Sequence, residues 1–196
     1  MIEPVLHPRH TAMPRQWIHG GPTLNLASGQ DYRPGWVNMD LFAERKDVEH
    51  DLFDFPWPFP DGHFENIFAN QILEHIPPMI NGRDGLGLVL KEIDRILCVG
   101  GRLIVGVPYA GSHCDRANPT HYRQFNESSF YFLKEDSKST VREMYGKLGL
   151  RLKESRVARC FRGFGFDTIY HGNKYFGRPL NIGFKTGMVF FFRKVA

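Results

Sequence analysis

Thr23 to Asp40, TLNLASGQDYRPGWVNMD, is the stretch that decides the fold. A short apolar run, Leu24-Asn25-Leu26, leads into a loop of small residues, Ala27-Ser28-Gly29. A second apolar run, Trp36 to Met39, then ends on the carboxylate of Asp40. Strand, small-residue turn, strand, acid is the layout of a nucleotide-type site on a parallel sheet. Small residues let backbone N–H groups come close to a ligand, and a carboxylate accepts hydrogen bonds from two neighbouring hydroxyls. Only nine residues separate Leu26 from Trp36. Parallel strands usually need a crossover of about a dozen or more residues, so the first crossover helix is expected to shrink to a turn. Pro34-Gly35 supports a tight turn there.

Downstream, Asp47 to Leu52 reads as strand three. Phe53 to Gly62, FDFPWPFPDG, carries three prolines and reads as an ordered aromatic loop. Strand four is expected over Phe64 to Ala69, followed by a short helix stopped at Pro77-Pro78. Leu86, Val89, Leu90, Ile93, Ile96 and Leu97 recur at helical spacing, with Lys91, Glu92, Asp94 and Arg95 on the opposite face. Gly100-Gly101 is expected to stop this helix. Arg102 to Val107 is a strand of buried type, and helix, Gly-Gly and apolar strand together make an αβ unit. Val141, Met144, Tyr145 and Leu148 mark a second amphipathic helix, Leu150 to Arg159 a sixth strand, and Gly187 to Val195 the last.

The chain has 196 residues, enough for one domain with a substantial core. Residues 1–22 read as an N-terminal arm and 23–196 as the domain. The Gly-rich, aromatic and basic stretch 162–185 reads as a lid or insertion between the last two strands. No apolar run is long enough to cross a bilayer, the first residues lack a signal-peptide layout, and Cys98, Cys114 and Cys160 are odd in number and far apart. A cytoplasmic protein with reduced thiols and no membrane partner is expected. Val141 to Ala196 holds twelve Lys/Arg against three Asp/Glu, whereas the rest holds thirteen against eighteen. The basic third reads either as a solvated surface or as an attraction for an anionic partner. His7, His10 and His19 match no zinc pattern, and no metal site is expected.

From Leu24 to Pro108 the sequence resembles the class I S-adenosylmethionine-dependent methyltransferases. Leu24 to Gly29 is similar to the family's first motif, and Gly35 to Asp40 to its second strand and ribose-binding acid. Pro58 to Ile67, with Ile72-Leu73-Glu74-His75, resembles its "PFPD … LEH" segment, and Leu90 to Leu97 before Gly100-Gly101 its next helix. The resemblance implies an α/β, Rossmann-like sandwich. Its mostly parallel seven-stranded sheet would have an antiparallel last strand. It also implies S-adenosylmethionine as cofactor. Ala27, Ser28 and Gly29 would lie beneath its methionine part, Asn25 would hydrogen-bond toward its amino group, and Asp40 would hold the ribose. Asp51 would accept from the adenine amino group, with Leu41 and Leu52 against the ring, and Asn70 and Gln71 would face the reacting methyl. The family usually carries an acid at the position of Asn25 and Gly at that of Ala27.

Methyl transfer from a sulfonium is a one-step displacement in which the protein mainly positions and desolvates. The expected acceptor wall is Tyr109 to Phe125. His121 is the first candidate for a base or substrate contact, with Tyr109 and His113 behind it. A metal set of His113, Asp115 and His121 ranks below ordinary loop packing. The expected acceptor is a small molecule, anionic or linked to a sugar or nucleotide. A second reading is an RNA or protein methyltransferase that docks through the basic C-terminal segment, and a third is a non-catalytic cofactor-binding or interaction module. Asn70-Gln71-Ile72-Leu73 lacks the prolines of the DNA adenine-methylating motif. Arg162 to Phe166 matches the start of an RNA-recognition signature but fails at Asp167 and Ile169. Nucleic acid is therefore not the favoured partner.

Overall fold

The computed structural model describes residues 20–145, 148–160 and 184–196. Residues 1–19 of the expected arm and 162–183 of the expected insertion lie outside the described residues. The elements are β1 (Thr23–Leu26), β2 (Val37–Asp40), β3 (Val48–Glu49), β4 (Phe64–Asn70), β5 (Met79–Ile80), β6 (Arg83–Asp84), α1 (Gly85–Ile96), β7 (Leu97–Pro108), α2 (His113–Arg116), α3 (Thr140–Tyr145), β8 (Leu150–Cys160) and β9 (Phe184–Lys194).

Seven strands form one sheet in the order β3-β2-β1-β4-β7-β9-β8, and β5 and β6 make a small separate hairpin. Neighbours from β3 through β7 pair parallel, and β9 runs antiparallel to both β7 and β8. The α/β sandwich expected from the sequence is thus the observed fold, including the antiparallel last strand. The chain order reverses between β1 and β4, so the carboxyl ends of these strands flank a topological switch point, the place where open α/β sheets bind ligands. Among the described residues, no helix is long and apolar enough to cross a membrane.

One face of the sheet packs against α1. Asp84 caps this helix, its carboxylate accepting the Gly87 N–H at 2.7 Å. Leu86, Val89, Leu90, Ile93 and Ile96 are buried in one cluster with Leu24, Leu26, Ile67, Leu103 and Val105 of the sheet. Each such side chain contributes about 1.5–3 kcal/mol by leaving water. Further along, Phe130 stacks on Phe125 and meets Phe190 and Phe192 edge-on. The opposite face carries Phe68, Ile104, Val189 and Phe191, with Trp36 packed against them and the Arg33 guanidinium 4.3 Å above the Phe68 ring.

Three boundaries differ from expectation. The helix ends at Ile96, and Gly100-Gly101 lies inside β7. There Leu97 pairs with Phe64 but Arg102 with Asn66, so the intervening residues bulge. Gly100 has φ 82°, and a side chain on Gly101 would meet the Cys98 carbonyl oxygen. The last strand begins at Phe184, ahead of Gly187. Strand three keeps only Val48–Glu49. Asp47 is taken up in bonds to the Asn38 backbone and amide, and Asp51 turns the chain by accepting the Phe53 N–H.

On the charged face of α1 Lys91 is exposed, but Glu92 and Arg95 are not left to solvent. Glu92 is buried and accepts the Trp57 backbone N–H. Arg95 donates to the carbonyls of Trp57 and Phe59 and to Asp61, and pairs with Glu92. These two residues clamp the proline-rich loop onto the helix, and Trp57 is driven into the core.

The first crossover has no helix between β1 and β2, as expected. Its loop is stitched by amides instead. Asn25 and Asn38 are register partners on β1 and β2. Asn25 donates through Nδ2 to the Asn38 Oδ1 at 3.0 Å and to the Asp31 carbonyl at 2.7 Å. Asn38 donates through its own Nδ2 to the carbonyls of Arg33 and Trp36 and to Asp47, while its Oδ1 accepts the Arg33 N–H. These bonds hold the Asp47 carboxyl below its ordinary range.

Candidate cofactor and acceptor site

At the end of β1 the chain turns sharply. Ala27 has φ 51° and Gly29 φ 52°, both in the left-handed region where a side chain is strained. The Ser28 N–H donates to the Met39 carbonyl, which fastens the turn to β2. Asp40 Oδ2 accepts the Gly29 N–H at 2.8 Å, and Oδ1 accepts the N–H groups of Phe42 and Ala43. Asp40 therefore fixes the turn and its own loop, and stays half exposed. Space beside Gly29 is open, with no atom within 4 Å of where a Cβ would stand. Ser28 Oγ is buried without a hydrogen-bond partner. A buried hydroxyl left unmet costs about 1–3 kcal/mol, so a polar ligand over this turn would relieve it.

Not every expected contact faces that space. The Asn25 amide is engaged by the crossover loop, as described above. Leu52 is buried in the core, and its carbonyl accepts the Trp57 indole N–H at 3.0 Å. Leu41 is half-buried and its carbonyl accepts from Lys46. Asp51 is exposed just beyond β3, one of its oxygens occupied by Phe53. Between Leu41 and Asp51 stands Phe42, a large aromatic with 88% of its surface exposed, whose backbone is held by Asp40.

At the end of β4, Asn70 pairs with Gly106 of β7. A Cβ on Gly106 would stand 2.3 Å from the Asn70 Oδ1, so the glycine makes room for the amide. Gln71 follows at φ 56° and donates its N–H to the Gly106 carbonyl at 2.7 Å. This second left-handed turn lies on the same rim of the sheet as Ala27.

A second cluster on this rim is built from two distant segments. Glu74 and His75 form a single 3-10 turn after β4. The loop that follows β7 returns there, with the N–H groups of Tyr122 and Arg123 donating to the Glu74 carbonyl. The Arg123 guanidinium binds the Ile76 carbonyl and Asp84, which locks the loop in place. His75 and His121 meet edge to face with centroids 4.7 Å apart. Glu74 is 0% exposed, and both of its carboxylate oxygens lack a hydrogen-bond partner. Burial, and secondarily the charge of Asp115, push its carboxyl up to about 8. Burial and the neighbouring His121 hold His75 below its ordinary value. His121 donates from Nδ1 to the Asp115 carbonyl at 2.9 Å.

Of the three expected acceptor residues, His121 alone joins this group. His113 is exposed on α2, and the Tyr109 hydroxyl donates to Glu127 at 2.9 Å. The grouping of His113, Asp115 and His121 gives way to Glu74, His75 and His121, with Asp115 behind. The LEH motif places Glu74 and His75 after strand four, but nothing in the residue pattern tells that His121 returns to them. Phe42 and Gly106 also escape sequence reasoning. Their only signals are an aromatic next to an acid at a strand end and a glycine within an otherwise branched strand.

No protein-family model matches the chain, and no curated protein matches its sequence. Solved structures do match its fold. A SAM-dependent methyltransferase from Archaeoglobus fulgidus aligns over 92% of this chain and 89% of its own at 11% identity, with a TM-score of 0.59. A SAM-dependent methyltransferase from Methanosarcina mazei aligns over 97% and 98% at 12% identity, TM-score 0.55. The 16S rRNA (adenine(1408)-N(1))-methyltransferase from Catenulisporales acidiphilia aligns over 90% and 89% at 13% identity, TM-score 0.53. The fold is that of the class I methyltransferases.

Proposed function

We propose that this chain binds S-adenosylmethionine and transfers its methyl group to an acceptor at the carboxyl edge of the sheet. The observation that carries the reading is the left-handed Ala27–Gly29 turn, tied to Asp40, with the buried Ser28 hydroxyl unmet above it. These residues suit the cofactor. The Ser28 hydroxyl can reach a polar group of its methionine part, and Asp40 retains lone pairs for ribose hydroxyls. Phe42 offers a ring face to the adenine, beside Asp51 and Leu41. When bound, the sulfonium supplies an activated methyl group, so the protein needs no covalent intermediate. Asn70, seated over Gly106, and Gln71 border the methyl end and orient it toward the segment that carries His121. The 121–123 strip, bonded to the Glu74 carbonyl, fixes that segment beside the methyl end.

The acceptor we favour is a small anionic or sugar- or nucleotide-linked molecule, supported by the basic balance of the C-terminal third. Part of that charge is paired within the described residues, Lys153 with Glu135 and Arg156 with Glu154. Titration calorimetry with S-adenosylmethionine tests the reading. The wild type is expected to bind, and Asp40→Ala to weaken binding at least about tenfold, which is about 1.4 kcal/mol. A wild type that shows no binding removes the proposal and leaves an interaction module on the same fold.

A further inference from the structure

Glu74, His75 and His121 each offer a ligand atom, and these atoms all lie within 4.8 Å of one another. The hydrogen bonds around them fix what each atom is. The Asp115 carbonyl can only accept, so His121 Nδ1 carries the ring proton and Nε2 keeps the lone pair. Thr120 Oγ1 lies 2.8 Å from Asn118 Oδ1 and 2.9 Å from His75 Nδ1; with its proton on Asn118 it accepts from His75 Nδ1, the tautomer that leaves Nε2 of that ring with the lone pair. Glu74 adds two buried oxygens that accept no hydrogen bond. With Glu74 ionised, the cluster gathers two imidazole lone pairs and a carboxylate and supplies no hydrogen-bond donor. Such a set is costly when dry and empty. It is also the ligand set that first-row divalent cations take, with each imidazole held through its far nitrogen by an outer partner.

We propose that Glu74, His75 and His121 bind a first-row divalent cation, zinc, manganese, cobalt or nickel, on the acceptor side of the cofactor cleft. Three protein ligands leave at least one coordination position open, as catalytic rather than structural centres do. The site lies between the turn after β4 and the loop after β7, on the rim that Asn70 and Gln71 border. A cation there would take an oxygen of the acceptor, so the class of acceptor it fits carries a hydroxyl. The bound hydroxyl releases its proton to solvent, the oxygen attacks the methyl carbon, and the carbon–sulfur bond breaks with its electron pair going to sulfur. That role rests on the methyltransferase reading, whereas the binding of the cation does not.

The test uses the full chain, stripped with a chelator and titrated with cobalt(II). The wild type is expected to develop a visible d–d absorption that saturates at one equivalent. It is also expected to retain a first-row metal by elemental analysis when purified without chelator. His121→Ala and Glu74→Gln are expected to weaken cobalt binding at least about tenfold. Thr120→Val, which removes the outer partner of His75 together with the hydroxyl bond to Asn118, is expected to weaken it by about tenfold. His63→Ala, on the far loop, keeps wild-type affinity. Should Glu74→Gln fail to fold, His121→Ala carries the comparison. A stripped wild type that gives no band with cobalt, and retains no zinc, manganese or nickel, overturns the proposal, and Glu74 then holds a proton. Calorimetry with S-adenosylmethionine on the same stripped sample reads the other proposal separately. Cofactor binding without metal binding sinks only this inference, and metal binding without cofactor binding sinks only its catalytic role.

Discussion

Two polar regions of the molecule are built in opposite ways. Around the first crossover, Asn25, Asn38 and Asp47 each meet partners of the right sense, donor to acceptor, inside the protein. After β4, Glu74, His75 and His121 converge, and with Glu74 ionised they set acceptors against acceptors. The first region does the work of a missing helix. The second does no structural work that its polarity explains, since an apolar residue at Glu74 would fill the same volume at lower cost. Matched buried polarity reads as architecture, and unmatched buried polarity as a place for something else.

The largest expected effect breaks this contrast from the acceptor side. In metal-free protein the folded Glu74 carboxyl keeps its proton up to about 8, against an ordinary value of 4.5. Between those pH values the folded state binds more protons than the unfolded one. The stabilising contribution, complete below pH 4.5, is therefore lost as pH rises toward 8, with a slope approaching about 1.4 kcal/mol per pH unit. Glu74→Gln has no such proton. Urea denaturation in chelator across this window is expected to show the variant gaining on the wild type steadily with pH. A constant difference would mean that the carboxylate finds a partner in solution.

Asn25→Asp breaks the contrast from the other side. It restores the acid that relatives of this fold usually carry, yet here it turns a donor into an acceptor facing the Asp31 carbonyl and Asn38 Oδ1. A loss of about 3 kcal/mol is expected in the same denaturation assay, because two buried bonds become acceptor pairs. A neutral outcome would show that the loop does not depend on the stitch.

The same substitution shows how far the sequence is legible. Most strands, α1 and the loss of the first crossover helix follow from periodicity and spacing, which are local signals, whereas the antiparallel last strand is implied by the family resemblance. The meaning of Asn25 is not local. By itself it looks like a weakened cofactor ligand, and only pairing with Asn38 reveals it as the replacement for the helix. Glu92 and Arg95 carry the helical pattern of a wet face, but the proline-rich loop, 35 residues away at Trp57, folds onto them. Asp40 and the small-residue turn were legible because strand, turn and acid lie within 18 residues, whereas Glu74 and His121 meet across a return of the chain that no spacing encodes.

Phe42→Ala sharpens the comparison at the cofactor turn. The ring is 88% exposed, so stability is expected to stay within about 0.5 kcal/mol. Its proposed stacking on adenine predicts a loss of about 1 kcal/mol in S-adenosylmethionine affinity, roughly fivefold by calorimetry. Unchanged affinity would leave the exposed ring without a role and move the adenine elsewhere.

The smallest effect concerns backbone rather than polarity. Ala27 holds φ 51°, which costs an L-residue about 1–2 kcal/mol, while glycine pays about 0.5–1 kcal/mol in chain entropy. Ala27→Gly is therefore expected to raise stability by about 0.5–1 kcal/mol, an increase of about 1–4 °C in Tm for a chain of this size. The gain should appear with and without cofactor, because the turn is already fastened by Ser28 to Met39 and by Gly29 to Asp40. A lower Tm would mean that the methyl group packs usefully and that the stitched region stores no backbone strain. A gain that appears only with cofactor bound would mean that the turn is shaped by its ligand, as we propose for the Glu74 cluster, and the two regions would then differ less than their hydrogen bonds suggest.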